Sequence, residues 1–509
     1  MCGIAATIGG PEDRCRSLVL KMLRAIAYRG DPEHFGEVRS FPFAALGTNR
    51  LAIVDRENGT QPVPSDDGRY WVAFNGEIYN HAMLRRELEL AGARFTTATD
   101  TEVIVQGYRV WGDAIVDRLD GQFAFVIIDT RARSWFAARD PMGVKPLYWG
   151  RQGDLTLIAS EQKCLAPHVG DIHTLRPGHV LADGRSRRYF DLERLPAENS
   201  ENPVARFRSL MTDAVRKRVD TDLPVAVMFS GGIDSSVVLH LARQFHPDVT
   251  AFTLGFPGAA DLEVASRYCE EFNVPQVICS LRAEDVITLL PWIGPAAEFF
   301  EPIDAMDACV AYFGYHRARQ LGFKVALCGE GSDELLMGYD LFREHPQPRE
   351  LMRYRVHNLH RTDVQRVDRA AMLNRVEARV PFLDRALLRF AYHLPINLKL
   401  WDGTSKWILR EAFRGDLPDY ITDRPKVRMP DGTGLHRLLY DHAGRQAVQF
   451  DAAAHAALRI ETPQQAYFLR KYLDAGLPLP RERFRQRGLD YNADGYFRFV
   501  TAQDKHPVS

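Results

Sequence analysis

Ser230-Gly231-Gly232-Ile233-Asp234-Ser235-Ser236 lies between the apolar run Val225-Ala226-Val227-Met228-Phe229 and the helical pattern Val237-Val238-Leu239-His240-Leu241-Ala242. The spacing predicts a turn from a buried strand into a helix N-terminus. Free N–H groups and the positive end of the helix dipole suit such a turn to an anion. Adjacent glycines let the backbone approach a phosphate. The serines add hydroxyl donors, and Asp234 is suited to a cation. No Lys follows the glycines, so this is not the ordinary P-loop. Gly-Gly after a strand is also a common turn, and Ser and Asp are common helix caps. The rest of the chain has to decide between these readings.

The chain has 509 residues, 46% hydrophobic and 26% charged, which predicts two to four domains of globular type. Its net charge of −1 gives no reason to expect nucleic acid or an anionic membrane surface as a partner. No apolar run approaches a membrane span, and the N-terminus lacks the pattern of a signal peptide. Seven scattered cysteines with no CxxC pair indicate neither a disulfide framework nor a zinc site. A reducing, cytoplasmic setting is the expectation.

From 1 to 192, short strand-like runs such as Tyr70–Phe74, Phe123–Asp129 and Leu155–Ala159 alternate with helical patterns at Arg14–Ala27, Asn80–Ala91 and Thr101–Trp111. This predicts an α+β layered domain. Cys2, freed by removal of Met1, would carry a thiol and an amine on one residue, a nucleophile beside a base. It would otherwise be an ordinary terminal residue. Arg50 suits bidentate capture of a carboxylate. The Asn75 amide and the Gly76 N–H suit an oxyanion. Asp100 would pair with an ammonium or cap a helix. Arg139 and Asp140 are expected to form a structural ion pair.

Met1-Cys2-Gly3-Ile4, Asn49-Arg50-Leu51-Ala52-Ile53, Phe74-Asn75-Gly76-Glu77-Ile78-Tyr79-Asn80 and Asp100-Thr101-Glu102-Val103 together resemble the class II glutamine amidotransferase domain. The resemblance implies an αββα N-terminal-nucleophile sandwich in which Cys2 attacks the glutamine amide. Asn75 and Gly76 would hold the oxyanion. Arg50 and Ile53 would contact glutamine, Arg50 at its carboxylate. Glu77 and Asp100 would hold its amino end. One departure is the order Arg29-Gly30-Asp31-Pro32, where the family commonly has Arg-Gly-Pro-Asp.

Residues 193–205 are polar with two prolines and read as a linker. From 206 to 509, strand patterns at Val249–Phe256, Val274–Leu281 and Lys324–Cys328 alternate with helices, the last preceded by one at about 308–321. That predicts an α/β domain with a parallel sheet and a ligand at the strands' carboxyl ends. Gly329-Glu330-Gly331-Ser332-Asp333-Glu334 falls at the same end as the opening loop. Asp234 and Asp333 could therefore share Mg²⁺, although the second motif alone would pass for a capped turn.

Ser230–Ser236 is similar to the pyrophosphate loop of the ATP pyrophosphatases. With Gly329–Glu334, Val376-Glu377-Ala378-Arg379-Val380-Pro381-Phe382-Leu383-Asp384, Ser405-Lys406-Trp407 and Arg424-Pro425-Lys426, it resembles the glutamine-hydrolysing asparagine synthetase family. The resemblance implies a Rossmann-like (HUP) fold with helical C-terminal additions, ATP and Mg²⁺ as cofactors, and a possible homodimer. The substrates would be glutamine, ATP and an acceptor carboxylic acid such as aspartate. Asp234 and Asp333 would hold the metal. Ser230, Gly231, Gly232, Ser235, Ser236, Leu254, Gly329 and Glu330 would contact ATP. Lys406 and Lys426 would offset phosphate charge. Glu377 would deprotonate the incoming ammonium.

Three stretches depart from the family: Ile303-Asp304-Ala305-Met306-Asp307, Met337 where Gly is usual, and Cys328 where Ser is common. They are expected to reshape the acceptor pocket, leaving a carboxylic acid other than aspartate as an alternative. Ring-closing relatives such as β-lactam synthetases and lasso-peptide cyclases generally lack a working terminal Cys. The intact Cys2, Arg50, Asn75 and Asp100 argue against that reading.

Overall fold

The computed structural model describes residues 2–427, 436–446, 460 and 462–478. Two six-stranded antiparallel sheets form the first half. In one, Cys2–Ile8 is central, paired with Ala44–Arg50 and Leu155–Ala159. In the other, Tyr70–Ile78 pairs with Gly121–Asp129, so Glu77 lies opposite Gln122. Strand alternation sorts the side chains by layer. Ile4, Ala6, Ala73 and Val126 meet in a core between the sheets. Helix Glu12–Ala25 covers one outer face through Val19, Met22 and Leu23. Helices His81–Leu90 and Asp100–Trp111 cover the other through Leu84, Leu88, Val103 and Ile104. The result is the expected αββα sandwich.

Helix Pro203–Arg218 starts on a proline, with Asn202 Oδ1 accepting the Ala205 N–H at 3.0 Å. Pro at the first helical position and Asn at the cap explain a start inside the stretch read as linker. A five-stranded parallel sheet follows, in the order Gln276–Ser280, Val249–Gly255, Val225–Met228, Val325–Leu327, Glu377–Arg379. Val225, Val227 and Val325 are fully buried, as a sheet covered on both faces requires. Helix Pro302–Gln320 begins six residues earlier than the apolar pattern suggests. Its first two turns hide Asp304 and Asp307 in the interior, and buried acids conceal a helix from a hydrophobicity pattern.

The two halves are joined by buried charge. Arg29 reaches Asp368 with two nitrogens, at 2.9 and 3.0 Å, and Glu161 at 2.6 Å. Arg369 in turn pairs with Asp368 and Glu298, each at 2.9 Å. Asp31 accepts the Ala52 N–H at 3.0 Å and holds Lys324 at 2.8 Å. The Asp-Pro order therefore supplies an inter-half ion pair. Arg139 and Asp140 do not form the expected ion pair. The guanidinium donates to the carbonyls of Lys145, Leu175 and Gly143, and the carboxylate accepts from four main-chain N–H groups, including those of Phe123 and Lys145. Both clamp loops, which is still a structural role. All seven cysteines are buried thiols. No helix among the described residues is long and apolar enough to cross a membrane.

Candidate active sites

A cavity at the end of the antiparallel sandwich is lined by Cys2, Arg50, Ile53, Asn75's neighbour Gly76, Glu77, Gln61 and Asp100, among others. Pairing of Cys2 with Arg50 across adjacent strands puts nucleophile and cation side by side. The Cys2 main-chain nitrogen donates to Asn75 Oδ1 at 3.0 Å. Asn75 Nδ2 is left buried with no hydrogen-bond partner among the described residues. An orphan buried donor is costly unless a ligand uses it. Gly76 has φ +154°, and a Cβ there would stand 2.0 Å from the Gln122 carbonyl oxygen, so only glycine fits.

Arg50 gives its hydrogen bonds to the carbonyls of Val54, Asp55 and Arg56 at 2.8 to 3.3 Å. The guanidinium is thereby fixed while its charge stays unmatched by any of these partners. Asp100 opens its helix but does not cap it: its carboxylate accepts the Ile78 N–H at 2.9 Å and faces the cavity. Burial pushes the Cys2 thiol up, while a hydrogen bond from the Leu51 main chain to the sulfur and the Arg50 charge pull it down. Gln61, which the sequence reading did not single out, stands 3.8 Å from Cys2 Sγ through its Nε2. Its signal is only spatial, because Gln61 lies in an irregular loop.

The second cavity, about 220 Å³, opens at the carboxyl ends of the parallel strands. Ser230, Asp234, Ser235, Leu254, Gly329, Glu330, Asp333 and Lys426 line it. The Ser230–Ser236 loop closes on itself: the Gly232 N–H donates to Ser230 Oγ at 3.3 Å, and Ser235 Oγ donates to the Gly232 carbonyl at 3.1 Å. Gly231 has φ +69°, and a Cβ would stand 2.9 Å from Val264. Gly231, Gly232 and Ser236 shape the loop without lining the cavity. Ser236 Oγ is buried with no partner among the described residues.

Lys406 Nζ lies 2.5 Å from Asp234 and 2.6 Å from Asp333, and Lys426 Nζ lies 2.6 Å from Asp333. Lys406 sits one layer behind the cavity wall, 1% exposed in its side chain. Burial works against ionising Asp333, but Lys406 and Lys426 outweigh it and hold the carboxyl down at about 2. Two carboxylates converging on one cationic position form a hard-oxygen pair of the kind that suits a divalent cation. Ser332 Oγ donates to Asp234 Oδ1 at 2.6 Å and fixes its rotamer. Among the described residues no cluster of three or more metal-ligating side chains occurs, so phosphate oxygens or water would have to complete a shell.

Three expectations are corrected here. Glu377 does not reach the cavity. It starts the edge strand, at the opposite end of the sheet, and is fully buried against Arg379 at 2.6 Å. Met337 and Cys328 also do not line the pocket. Met337 is fully buried at φ +57°, a conformation that suits the family's glycine, and Cys328 is buried in the same core. Of the three departures only Ile303, Asp304 and Asp307 face the cavity, one helical face at spacings of one and three. Opposite stands Arg366, 3.1 Å from Asp307 and 2.9 Å from Asp363. Nothing in the local sequence marks Arg366. Arg424, of the Arg424-Pro425-Lys426 motif, anchors the loop by donating to the Ser230 carbonyl at 3.1 Å.

Fold and sites define an amidotransferase sandwich joined to a nucleotide-binding parallel-sheet domain. A glutamine amidotransferase domain family matches residues 1–182, and an asparagine synthase family matches 206–350 and 341–490. The chain belongs to the glutamine-hydrolysing asparagine synthetase family. It is 33% identical to asparagine synthetase [glutamine-hydrolyzing] 2 of Arabidopsis thaliana, over 87% of this chain and 82% of the relative. It is 32% identical to the Oryza sativa subsp. japonica enzyme of the same name, over 94% and 86%. A solved glutamine phosphoribosylpyrophosphate amidotransferase from B. subtilis aligns at a TM-score of 0.31 and 20% identity, over 55% of this chain and 66% of that one, and adds nothing to the fold described above.

Proposed function

We propose that this chain is an ATP-dependent carbon–nitrogen ligase that takes its nitrogen from glutamine, and that aspartate is the acceptor. Cys2, with Met1 removed, attacks the glutamine side-chain carbonyl; the carbon–nitrogen bond breaks and ammonia leaves, and water then hydrolyses the resulting thioester to glutamate and the free thiol. The observation that carries this reading is the Asn75 amide: its oxygen is taken by the Cys2 nitrogen and its Nδ2 is an unmatched buried donor. That donor and the Gly76 N–H are suited to the oxyanion. Arg50 takes the α-carboxylate, with Ile53 against the substrate, and Glu77 and Asp100 take the α-ammonium.

At the second cavity an acceptor carboxylate oxygen attacks the α-phosphorus of ATP and pyrophosphate leaves. Ammonia then attacks the acyl carbon and AMP leaves. Ser230, Ser235 and the loop N–H groups cradle pyrophosphate, while Lys406 and Lys426 offset its charge. Mg²⁺, held by Asp234 and Asp333, would supply further charge neutralisation at the phosphate oxygens. Glu330, on the cavity wall 3.7 Å from Arg366, is the carboxylate we assign to take the ammonium's proton, in place of Glu377. Confining ammonia and adenylate within one chain limits their loss to protonation and hydrolysis.

The test pairs the wild type and one variant with two nitrogen sources. Cys2→Ala should lose glutamine-dependent amidation and keep the ammonium-driven reaction. Aspartate should support ATP/pyrophosphate exchange in both. Glutamine hydrolysis by Cys2→Ala at the wild-type rate would overturn the nucleophile, and failure of aspartate-dependent exchange would overturn the acceptor.

A further inference from the structure

Glu77 lies in the glutamine cavity, yet its cation comes from the other half of the chain. Arg379 sits on the edge strand Glu377–Arg379 of the parallel sheet. Its Nη2 lies 3.2 Å from Glu77 Oε2. Its Nε donates to Glu377 Oε1 at 2.6 Å and its Nη1 donates to the Arg218 carbonyl at 2.7 Å. One guanidinium thus spans two carboxylates and a main-chain oxygen, and its side chain is 1% exposed. The edge strand is pinned to the amidotransferase sheet as well, because Gln122 Nε2 donates to the Ala378 carbonyl at 3.2 Å. Gln122 is the direct cross-strand neighbour of Glu77.

Burial pushes the Glu77 carboxyl well above the ordinary range, with Asp100 and Glu377 adding to the rise, and Arg379 is the main influence against it. A buried carboxylate with no cation protonates instead of staying charged, and a protonated Glu77 would be a poor partner for an ammonium. A planar fork is what allows one cation to serve both neighbours. The same residue's carbonyl accepts the Cys328 N–H at 3.1 Å, immediately before the Gly329–Glu330 stretch of the ATP cavity.

We propose that Arg379 is a positioning residue of the glutamine site: it holds the Glu77 carboxylate against the substrate's α-ammonium, so the amidotransferase site is completed by the synthetase sheet. This rests on the reading of Glu77 as a contact of the glutamine amino group. Arg379 touches no substrate, so its loss acts through Glu77.

The test is steady-state kinetics on the full chain with glutamine and with ammonium chloride. Arg379→Lys keeps a buried cation for Glu377 but has no second arm for Glu77. It should raise the glutamine KM roughly tenfold or more, the effect of losing one close charge contact, and leave the ammonium-driven rate within about twofold. Glu77→Gln should raise the KM similarly, and the double variant should be no worse than Glu77→Gln alone. Arg379→Gln serves as the second variant if the lysine form does not accumulate folded. An unchanged KM in the Arg379 variants beside a raised KM in Glu77→Gln overturns the proposal alone. An unchanged KM in Glu77→Gln overturns the proposal and the underlying glutamine-site reading together. A parallel fall of the glutamine and ammonium rates in Arg379→Lys shows a merely structural arginine and also overturns it.

Discussion

Arg29 and Asp368, one from each half of the chain, form a two-pronged ion pair at 2.9 and 3.0 Å with both side chains essentially buried. Coulomb attraction from Asp368 and Glu161 outweighs the burial that opposes charge on Arg29. Removing one partner would strand the others. Arg29→Ala should cost about 3–5 kcal/mol by the behaviour of broken buried pairs. A lower denaturation midpoint in a chemical melt checks this. A loss below about 1 kcal/mol would mean water replaces the guanidinium.

Asn75→Ala removes the unmatched Nδ2 donor and the acceptor for the Cys2 nitrogen. Glutamine kcat should fall by about 10²–10³, the cost of one oxyanion donor. Ammonium-driven amidation should be unaffected. Stopped assays with the two nitrogen sources separate these outcomes.

Lys406→Ala leaves Asp234 and Asp333 facing one another with Lys426 alone between them, 3.9 Å from Asp234. Pyrophosphate exchange should drop by at least about 10²-fold if the lysine offsets developing charge. The Mg²⁺ concentration for half-maximal rate should fall, because a competing cation has gone. A titration of rate against Mg²⁺ reads both effects.

Glu334 gives a pH signature. Burial pushes its carboxyl up to about 8, and the Asp363 and Asp333 charges add to the rise. The folded protein therefore keeps a proton that the unfolded chain releases near 4.5. The stability from this group is present below about pH 4.5 and is lost as pH rises to about 8. Glu334→Gln should abolish that decline and exceed the wild type by a few kcal/mol, in order of magnitude, above pH 8. Urea melts at several pH values provide the comparison, and parallel curves for the two proteins would refute it.

Residues whose roles depend on local backbone were legible in the sequence. Ser230–Ser236 sits on a strand-to-helix turn that needs specific residue types, so spacing reveals it; Asn75-Gly76 reads as a turn in the sequence but lies inside the strand Tyr70–Ile78, where its residue types alone mark it. Asp234 and Asp333 followed from strand order in a parallel sheet. Glu377 was misplaced because its motif says that it is buried but not at which end of its strand it stands. Met337 looked like a pocket residue because it replaces the glycine usual after Ser332-Asp333-Glu334, yet it has a left-handed backbone and lies in the core. Arg366, Gln61 and the Glu77–Arg379 contact were beyond reach. Each depends on two distant segments meeting, and a buried arginine on a helix resembles a surface arginine until the fold is known.

The seven thiols carry a practical consequence for spectroscopy. None lies on the outer surface, and six of them lie outside the cavity that Cys2 lines. A cysteine introduced at an exposed position would be the fast-reacting one, and glutamine would shield Cys2 during labelling. Two such sites, one in each half, could carry a donor–acceptor dye pair on the otherwise native sequence. The distance between the halves could then be followed through a turnover without first stripping the protein of its own sulfur.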